Sequence, residues 1–131
     1  MNFLLDTNIV SELTKRCPNP GVTAWAATVT DQQLSAISVD ELRFGMARRP
    51  DARIIDWLEQ YLRQHQVLPV TREIAERAAA MRGDFARKGI VREQVDMLIA
   101  ATAQHHNLTL VTRNTRDFEG CGIGLLNPFT D

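Results

Sequence analysis

The amino-acid sequence predicts an α/β fold with a mainly parallel central sheet. Short apolar or β-branched segments alternate along the chain with longer segments in which apolar residues recur at helical spacing. Strands that alternate with helices are typical of βαβ units, whose strands lie parallel and are joined by right-handed crossovers. The chain length suits one packed core, and no linker or internal repeat stands out. We therefore expect a single domain over residues 1–131.

The N-terminal part of the chain predicts one strand followed by two helices. Residues 3–5 are apolar and end at Asp6, which opens an Asp-Thr-Asn segment of helix-capping residues. A helical pattern follows over residues 9–13. The turn residues at 18–21 separate it from a segment of helical composition over residues 22–29.

The middle of the chain repeats the order of strand and helix. Residues 34–38 predict a small strand, with Ser38 in position to cap a helix over residues 39–46. Apolar residues at helical spacing predict a further helix over residues 52–64. The compact apolar segment at residues 67–70 then predicts a short edge strand.

The next segment predicts two more helices. Thr71 is placed to cap a helix over residues 74–85, although Gly83 inside the pattern weakens it. Gly89 is the expected stop of that helix. After a connection, residues 95–103 form the most apolar helical pattern of the chain.

The C-terminal part predicts two strands. Asn107 ends the apolar helix, and residues 108–112 form the clearest strand because β-branched side chains are bounded by turn residues. A glycine-rich segment follows, and residues 125–128 predict one last short strand.

Charge and cysteine content limit the functional classes. The net charge is −1 and the pI is near 6.3, so the whole-chain charge gives no sign of a nucleic-acid binder, although a local arginine cluster and metal ions can still meet phosphate. Cys17 and Cys121 form no C-x-x-C pair, so neither a zinc site nor a disulfide framework is indicated. The N-terminus lacks the pattern of a signal peptide, and no segment approaches the roughly 20 apolar residues of a membrane span. We expect a cytoplasmic protein without a membrane association.

Four acidic residues fall where this architecture places functional groups. Asp6 directly follows the first strand, Glu41 lies in the first turn after the second, Asp96 begins the apolar helix, and Asp117 follows the clearest strand. The crevice at the carboxyl ends of parallel strands is the usual ligand site of such sheets. Carboxylates gathered there repel each other unless a cation offsets their charge, and oxygen ligands suit Mg²⁺ or Mn²⁺. Either ion can activate water for phosphoryl displacement.

Purely structural roles are available for the same acids. Asp6 after a strand has the position of an N-cap, and the spacing of Ser38 and Glu41 is that of a capping box. Asp96 lies at a helix N-terminus, which favours any acid. Position alone therefore leaves both interpretations of each acid open.

Four motifs in order resemble those of PIN-domain ribonucleases, especially the VapC and FitB-like toxins of bacterial toxin-antitoxin pairs. The motifs span almost the whole chain. They are Leu-Leu-Asp-Thr-Asn from residue 4, Ser-Val-Asp-Glu-Leu-Arg-Phe-Gly from residue 38, Asp-Met-Leu-Ile-Ala-Ala-Thr-Ala from residue 96, and Leu-Thr-Leu-Val-Thr-Arg-Asn-Thr-Arg-Asp-Phe from residue 108. Each motif alone is weakly specific, whereas four in order with similar spacing make a strong signal.

The resemblance implies a set of metal-site residues. By that resemblance Asp6, Glu41 and Asp96 match the three main acids that hold the metal ion, and Asp6 and Asp96 are the direct ligands. Thr7 and Thr112 look like the polar residues that orient those acids or bound water.

The fourth site residue has two candidates. Many PIN domains carry an aspartate two residues after the threonine of the closing motif, where this sequence has Asn114, and the nearby carboxylate is Asp117. The structural alternative makes Asn114 a turn residue and Asp117 the cap of a short helix.

The resemblance also implies a PIN-like three-layer fold, with helices on both faces of the sheet, and a Mg²⁺-dependent endoribonuclease in which Mn²⁺ is also possible. Its expected partners are an RNA substrate, a cognate antitoxin protein, a second copy in a homodimer, and DNA only indirectly through the antitoxin. Two alternatives remain: a catalytically inactive PIN-fold module that binds RNA or protein, and a metal-dependent phosphatase. Nucleotide binding is disfavoured because the chain has neither a P-loop nor a G-x-G-x-x-G turn after the first strand.

Arginine, histidine and tryptophan residues carry less weight. Two arginine pairs have positions that suit RNA phosphates, although an exposed arginine is commonly only a solvated charge. The pairs are Arg48 with Arg49, and Arg113 with Arg116. We assign no catalytic role to the three histidines, and we expect Trp25 and Trp57 to pack in the core or between subunits.

Overall fold

The computed structural model describes residues 2–131 and contains a five-stranded sheet. Its strands are β1 (Phe3–Leu5), β2 (Gln32–Ser35), β3 (Gln66–Leu68), β4 (Thr109–Val111) and β5 (Leu125–Leu126). Its helices are α1 (Thr7–Leu13), α2 (Pro20–Thr28), α3 (Ala36–Arg48), α4 (Ala52–Gln64), α5 (Arg72–Arg87), α6 (Gln94–His106) and a 3-10 helix at Thr115–Phe118. The strand order is β3-β2-β1-β4-β5, and all neighbouring strands are parallel. The predicted α/β fold with a mainly parallel sheet is confirmed.

The alternation of side chains along β1 divides the core between the two faces of the sheet. Leu4 packs into a cluster with α5 and α6, whereas Phe3 and Leu5 pack into a second cluster with α1, α2 and α4. Successive side chains of a strand point to opposite faces, so one short apolar strand supplies both clusters. Helices therefore cover both faces, which gives the predicted three layers.

Several predicted helix ends are confirmed by local geometry. The Thr71 hydroxyl accepts a hydrogen bond from the Ile74 backbone N–H at 3.2 Å, as a simple N-cap does. The helix α5 runs through Gly83 without a break. Gly89 follows with a φ of 79°, and Asn107 ends α6 in the left-handed conformation with a φ of 54°.

The second strand lies earlier in the sequence than predicted. It ends at Ser35, whose side chain accepts a hydrogen bond from the Ile37 backbone N–H at 3.1 Å and caps α3. The predicted cap, Ser38, instead lies inside α3 and is fully buried. The predicted strand over residues 34–38, and with it the capping box from Ser38 to Glu41, is therefore wrong.

Tertiary contacts explain why this strand begins at a polar residue. Gln32 is buried, and its side-chain N–H groups donate to the carbonyl oxygens of Ala26 and Val29. Its side-chain oxygen accepts from the Tyr61 hydroxyl at 2.8 Å. A buried amide with all of these partners carries no unmet hydrogen-bonding cost, so the residue takes its place beside Phe3 in the sheet.

The predicted edge strand is shorter than expected. β3 lies at the edge of the sheet and pairs with β2 only from Gln66 to Leu68, rather than over residues 67–70. Pro69 follows immediately and has no N–H to donate to a neighbouring strand.

The carboxyl ends of β1, β2 and β4 meet at one edge of the sheet. Asp6 directly follows β1, Thr112 directly follows β4, and α3 begins directly after β2. This edge is the crevice in which open parallel sheets usually bind ligands.

Candidate functional site

Asp6 occupies the centre of this crevice and is fixed by three hydrogen bonds. Its carboxylate caps α1 by accepting from the Thr7 backbone N–H at 2.8 Å. The Thr112 hydroxyl donates to the other carboxylate oxygen at 2.8 Å, and the Asn8 side chain donates to it at 3.2 Å. Burial raises the pKa of Asp6 above its usual value, and the nearby Glu41 carboxylate adds to the rise against the opposing effect of these bonds.

Glu41 faces Asp6 from the second turn of α3. The Thr7 hydroxyl donates to the Glu41 carboxylate at 2.5 Å. The Thr7 hydroxyl oxygen also lies 3.1 Å from the Ser38 hydroxyl oxygen. Thr7 thus links the start of α1 to α3. This contact shows that Glu41 belongs to the crevice and does not cap its own helix.

Asp96 completes the predicted set of three acids. It is the third residue of α6 and is partly buried. Burial and the surrounding carboxylates raise the pKa of Asp96 to about 6. In decreasing order of effect, those carboxylates are Asp6, Asp117, Glu41 and Glu93. Since each of these influences disfavours the charged form, a cation is the natural complement of the cluster.

The two candidates for the fourth site residue occupy different positions. Asp117 lies in the 3-10 helix, and its charge contributes to the raised pKa of Asp96. Asn114 precedes that helix without capping it through its side chain, and its backbone N–H donates to the Thr112 hydroxyl at 3.1 Å. The alternative in which Asp117 caps the short helix is wrong because Asp117 lies inside it.

Asn8 is a site residue that sequence analysis assigned only to helix capping. Its side-chain N–H group lies 3.2 Å from Asp6 and 3.5 Å from the Thr112 hydroxyl, and its oxygen accepts from the Arg113 backbone N–H at 3.2 Å. Asn8 therefore ties the residues after β1 to those after β4. The sequence signal that could have placed Asn8 in the site is its position two residues after Asp6.

The predicted arginine, histidine and tryptophan positions have separate surroundings. The Arg113 guanidinium carbon lies 4.7 Å from the ring centre of Phe129. The Arg48 guanidinium carbon lies 5.7 Å from the ring centre of Phe44. Trp25 and Trp57 pack against the core cluster that contains Phe3. The histidines lie outside the carboxylate cluster, and burial lowers the pKa of His65.

The donor set decides which metal ions suit this crevice. Within residues 2–131, no group of three or more His, Cys, Asp or Glu side chains is close enough to surround one ion directly. Mg²⁺ commonly keeps several of its waters and binds through only one or two carboxylates. The crowded, oxygen-only donors around Asp96 would suit such a hydrated ion.

A membrane-spanning helix is not found in the described part of the chain, since none of its helices is both long and apolar enough.

Comparisons with known proteins add to this geometry. One relative, a VapC ribonuclease named Y4jK from Sinorhizobium fredii, is 35% identical over 97% of this chain and 97% of its own length. A solved structure of FitAB bound to the IR36 DNA fragment has a TM-score of 0.85 and 31% identity, covering 98% of this chain and 96% of that one. A toxin-antitoxin complex from Klebsiella pneumoniae has a TM-score of 0.78 and 29% identity, covering 99% and 100%. The PIN domain model matches residues 3–121, and the chain therefore belongs to the PIN-domain family.

Proposed function

We propose that this chain is a metal-dependent endoribonuclease, the toxin of a toxin-antitoxin pair. The observation that carries the proposal is the group of carboxylates around Asp96, where burial and the neighbouring negative charges together raise the pKa of Asp96 to about 6. The likeness to a VapC ribonuclease over nearly the whole chain supports the choice of RNA as substrate.

Each proposed site residue has a distinct task. Asp6, Glu41 and Asp96 hold the metal ion, with Asp6 and Asp96 as the direct ligands. Thr112 and Asn8 orient the Asp6 carboxylate through their hydrogen bonds, and Thr7 orients Glu41. Asp117 adds negative charge beside Asp96. Asn114 fixes the start of the segment that leads to Asp117, because its backbone N–H donates to the Thr112 hydroxyl.

The proposed cofactor is Mg²⁺, with Mn²⁺ as an alternative, because the donors are hard oxygens without His or Cys. When bound, the ion supplies an activated water and offsets the charge that develops on the phosphate. In the hydrolysis, the water oxygen would form a bond to phosphorus and lose a proton to solvent, while the bond from phosphorus to the leaving ribose oxygen breaks and that oxygen takes up a proton. No covalent intermediate with the protein is required.

The proposed partners follow from family membership and the solved complexes. The likeness to a toxin-antitoxin complex supports a cognate antitoxin that inhibits this chain. The likeness to FitAB bound to DNA supports contact with DNA through that antitoxin. We also propose that the chain forms a homodimer and acts in the cytoplasm, where its RNA substrate is found.

Sequencing of cellular RNA ends tests the activity directly. The wild-type chain and an Asp6→Ala variant are expressed in turn, and new RNA ends are compared between the two. Recurrent ends that appear only with the wild-type chain are expected. An identical pattern of ends in both cultures would contradict ribonuclease activity, and the inactive binding module would then be favoured.

Metal dependence is tested on the purified protein with two readouts. RNA cleavage is expected to disappear in EDTA and to return with Mg²⁺ or Mn²⁺, whereas Zn²⁺ is not expected to be required. Mn²⁺ is also expected to raise the melting temperature of the wild-type chain, because an ion that binds only the folded state stabilises it. Full cleavage in EDTA would exclude the metal mechanism.

A phosphatase is separated from a ribonuclease by its substrates. Release of phosphate from small esters is measured beside RNA cleavage under the same conditions. RNA cleavage without phosphate release is expected, and the reverse result would favour the phosphatase.

A further inference from the structure

A cleft of about 280 Å³ opens directly beside the carboxylate cluster. It shares Thr7 and Glu41 with that cluster, and its walls come from α1, α3 and α4. The cleft therefore continues the proposed catalytic crevice away from Asp6. A molecule bound at the carboxylates can therefore extend into this cleft past Thr7 and Glu41.

Two parts of the cleft lining differ in chemistry. Leu42 and Met46 of α3, together with Ile54 and Leu58 of α4, make one part of the lining apolar. Ser11 of α1 and Thr14, the residue that follows α1, add hydroxyl groups to another part of the lining. The Thr14 hydroxyl donates to the Ser11 backbone carbonyl at 2.7 Å, which leaves the lone pairs of the Thr14 oxygen as acceptors.

A positive charge lies at the rim of the cleft. Arg49 lines it and is exposed, and it immediately follows the C-terminus of α3. The neighbouring Arg48 instead lies over the ring of Phe44. Arg49 is therefore the cation of this pair that is placed to meet an anion bound beside the cleft.

We propose that the cleft binds one nucleobase of single-stranded RNA next to the cleaved phosphate, with Arg49 on a neighbouring phosphate. This inference rests on the proposed ribonuclease function. A base has apolar faces and a hydrogen-bonding edge, which match these two parts of the lining, and stacking on apolar or aromatic surfaces is a common way to hold unpaired bases. A nucleotide also brings a phosphate beside each base, which matches Arg49, whereas an apolar protein side chain brings no such anion.

Gly45 provides a way to fill the cleft without disturbing its walls. It lines the cleft in the middle of α3, and a Cβ atom built on it meets no atom within 4 Å. A leucine at this position projects into the open space of the cleft. Gly83 in α5 offers a matched control, because a Cβ atom there also meets no atom within 4 Å and the residue lies outside the cleft.

The test uses wild type, Gly45→Leu and Gly83→Leu with a pool of short single-stranded RNAs of random sequence. The dissociation constant is measured in EDTA by fluorescence anisotropy, and the cut ends are sequenced after cleavage with Mn²⁺. We expect Gly45→Leu to raise the dissociation constant about tenfold, which is the loss of one stacked base. We also expect it to flatten the base preference at one position beside the cut, whereas Gly83→Leu retains wild-type affinity and preference.

Arg49→Gln tests the phosphate contact separately. We expect it to weaken binding of all sequences alike and to reduce the salt dependence of the affinity by about one phosphate contact, with the base preference unchanged. Thermal melting of each variant shows that it is folded. If Gly45→Leu fails to fold, the smaller Gly45→Ala is used in its place, for which we expect the same two changes in weaker form.

The possible outcomes separate this inference from the proposed function. If the wild-type chain cleaves RNA and Gly45→Leu behaves like Gly83→Leu, the nucleobase assignment is wrong and the cleft is left to a protein partner. If the wild-type chain cleaves no RNA, the ribonuclease proposal fails and the nucleobase assignment fails with it.

Discussion

Thr112 and Asp6 form a buried pair that helps to set the charge of the site. Thr112 is fully buried, and its hydroxyl donates to the Asp6 carboxylate at 2.8 Å. A hydrogen bond to the charged form of an acid lowers its pKa, and here it opposes the rise that burial causes. Thr112 therefore favours the ionised Asp6 that a cation needs.

Thr112→Val tests this role because valine has nearly the same shape but no hydroxyl. We expect the pKa of Asp6 to rise further, so the acid limb of the activity profile moves to higher pH and activity falls more on the acid side of the pH range than on the alkaline side. The free energy of unfolding should fall by about 1–3 kcal/mol, the usual effect of losing a hydrogen bond to a charged group. Rates across this pH range and urea unfolding measure both effects.

Thr102→Val is the matched control for this prediction. Thr102 is also fully buried, but its hydroxyl donates to the Leu98 backbone carbonyl inside α6. We expect no shift of the acid limb for Thr102→Val. Equal pH profiles for the two variants would show that the Thr112 hydroxyl does not act on Asp6.

Asp96→Asn is expected to abolish RNA cleavage while the protein remains folded. The change is nearly isosteric but removes one negative charge that the proposed cation requires. Cleavage assays with Mn²⁺ and circular dichroism measure the two effects. A folded variant with wild-type turnover would show that Asp96 serves only as a structural residue at the start of α6.

The same substitution has a pH-dependent effect on the stability of the metal-free protein. Because the pKa of Asp96 is about 6 in the folded state and near its usual value of 3.8 when unfolded, the folded state holds this proton more tightly. The wild-type chain therefore loses stability as pH rises between these values. In EDTA, Asp96→Asn should melt on the order of 10 °C above wild type at pH 7.5, with the difference shrinking as pH falls towards 4. A constant difference across this range would contradict the crowding of Asp96.

The positions of the site acids could be predicted from the sequence, but their connections could not. Asp6 and Asp96 each lie at the start of a helix, where the local pattern is visible. The bond from Thr7 to Glu41 joins residues far apart in the chain, and it exists only once α1 and α3 have packed. The capping-box interpretation of Glu41 failed because the local spacing contains nothing about this partner.

At the scale of elements, one arginine fastens the loop between α5 and α6 to the 3-10 helix. The Arg92 guanidinium donates to the backbone carbonyls of Asp117 and Glu119, the latter at 2.8 Å. Its other side is supported by Phe85, whose ring centre is 4.2 Å from the guanidinium carbon. This contact holds the 3-10 helix, and so Asp117, near the start of α6.

Arg92→Ala is expected to release this helix and to raise the Mn²⁺ concentration needed for half-maximal cleavage by about tenfold, a common effect of losing outer support at a metal site. Arg92→Lys should give most of the same loss, because an ammonium group lacks the planar fork that contacts two carbonyls. Titration of cleavage with Mn²⁺ measures the change.

Arg87→Ala serves as the control for Arg92→Ala. Arg87 is also near the end of α5, but its ion pair with Asp84 is exposed, and such pairs contribute little to stability. We expect an unchanged Mn²⁺ requirement for Arg87→Ala. If Arg92→Ala matches it, the 3-10 helix does not depend on Arg92.

The limits of sequence-based prediction at this scale are clearest in β2. Its apolar part, Leu34, was recognised, whereas Gln32 was not assigned to the strand because a polar residue gives no local strand signal. The partners that allow it to be buried come from α2, the residue that follows α2, and α4. The apolar helices and β4 were recognised more accurately because their patterns are local.

At the scale of the whole molecule, the C-terminal segment connects the start of α2 to the catalytic edge. The Asn19 side chain donates to the Thr130 carbonyl at 2.8 Å and accepts from the Thr130 backbone N–H at 3.0 Å. The Asn127 side chain donates to the Arg113 carbonyl at 3.4 Å, and Arg113 stacks on Phe129. The chain thus closes from α2 to the residue that follows Thr112.

Gly21→Ala tests this closure because Gly21 has no room for a side chain. A Cβ atom there would overlap the Pro128 carbonyl oxygen and lie 2.7 Å from the Thr130 side chain, so the C-terminal segment must move. We expect a loss of about 1–3 kcal/mol in the free energy of unfolding, as for other overpacked sites. Gly83→Ala should instead gain about 0.5–1 kcal/mol, because its Cβ atom meets open space within a helix. Urea unfolding of both variants measures these opposite shifts. A gain in stability for Gly21→Ala would show that the C-terminal segment is not held against α2. If Gly21→Ala loses RNA cleavage as well as stability, the effect of this contact extends to the catalytic edge.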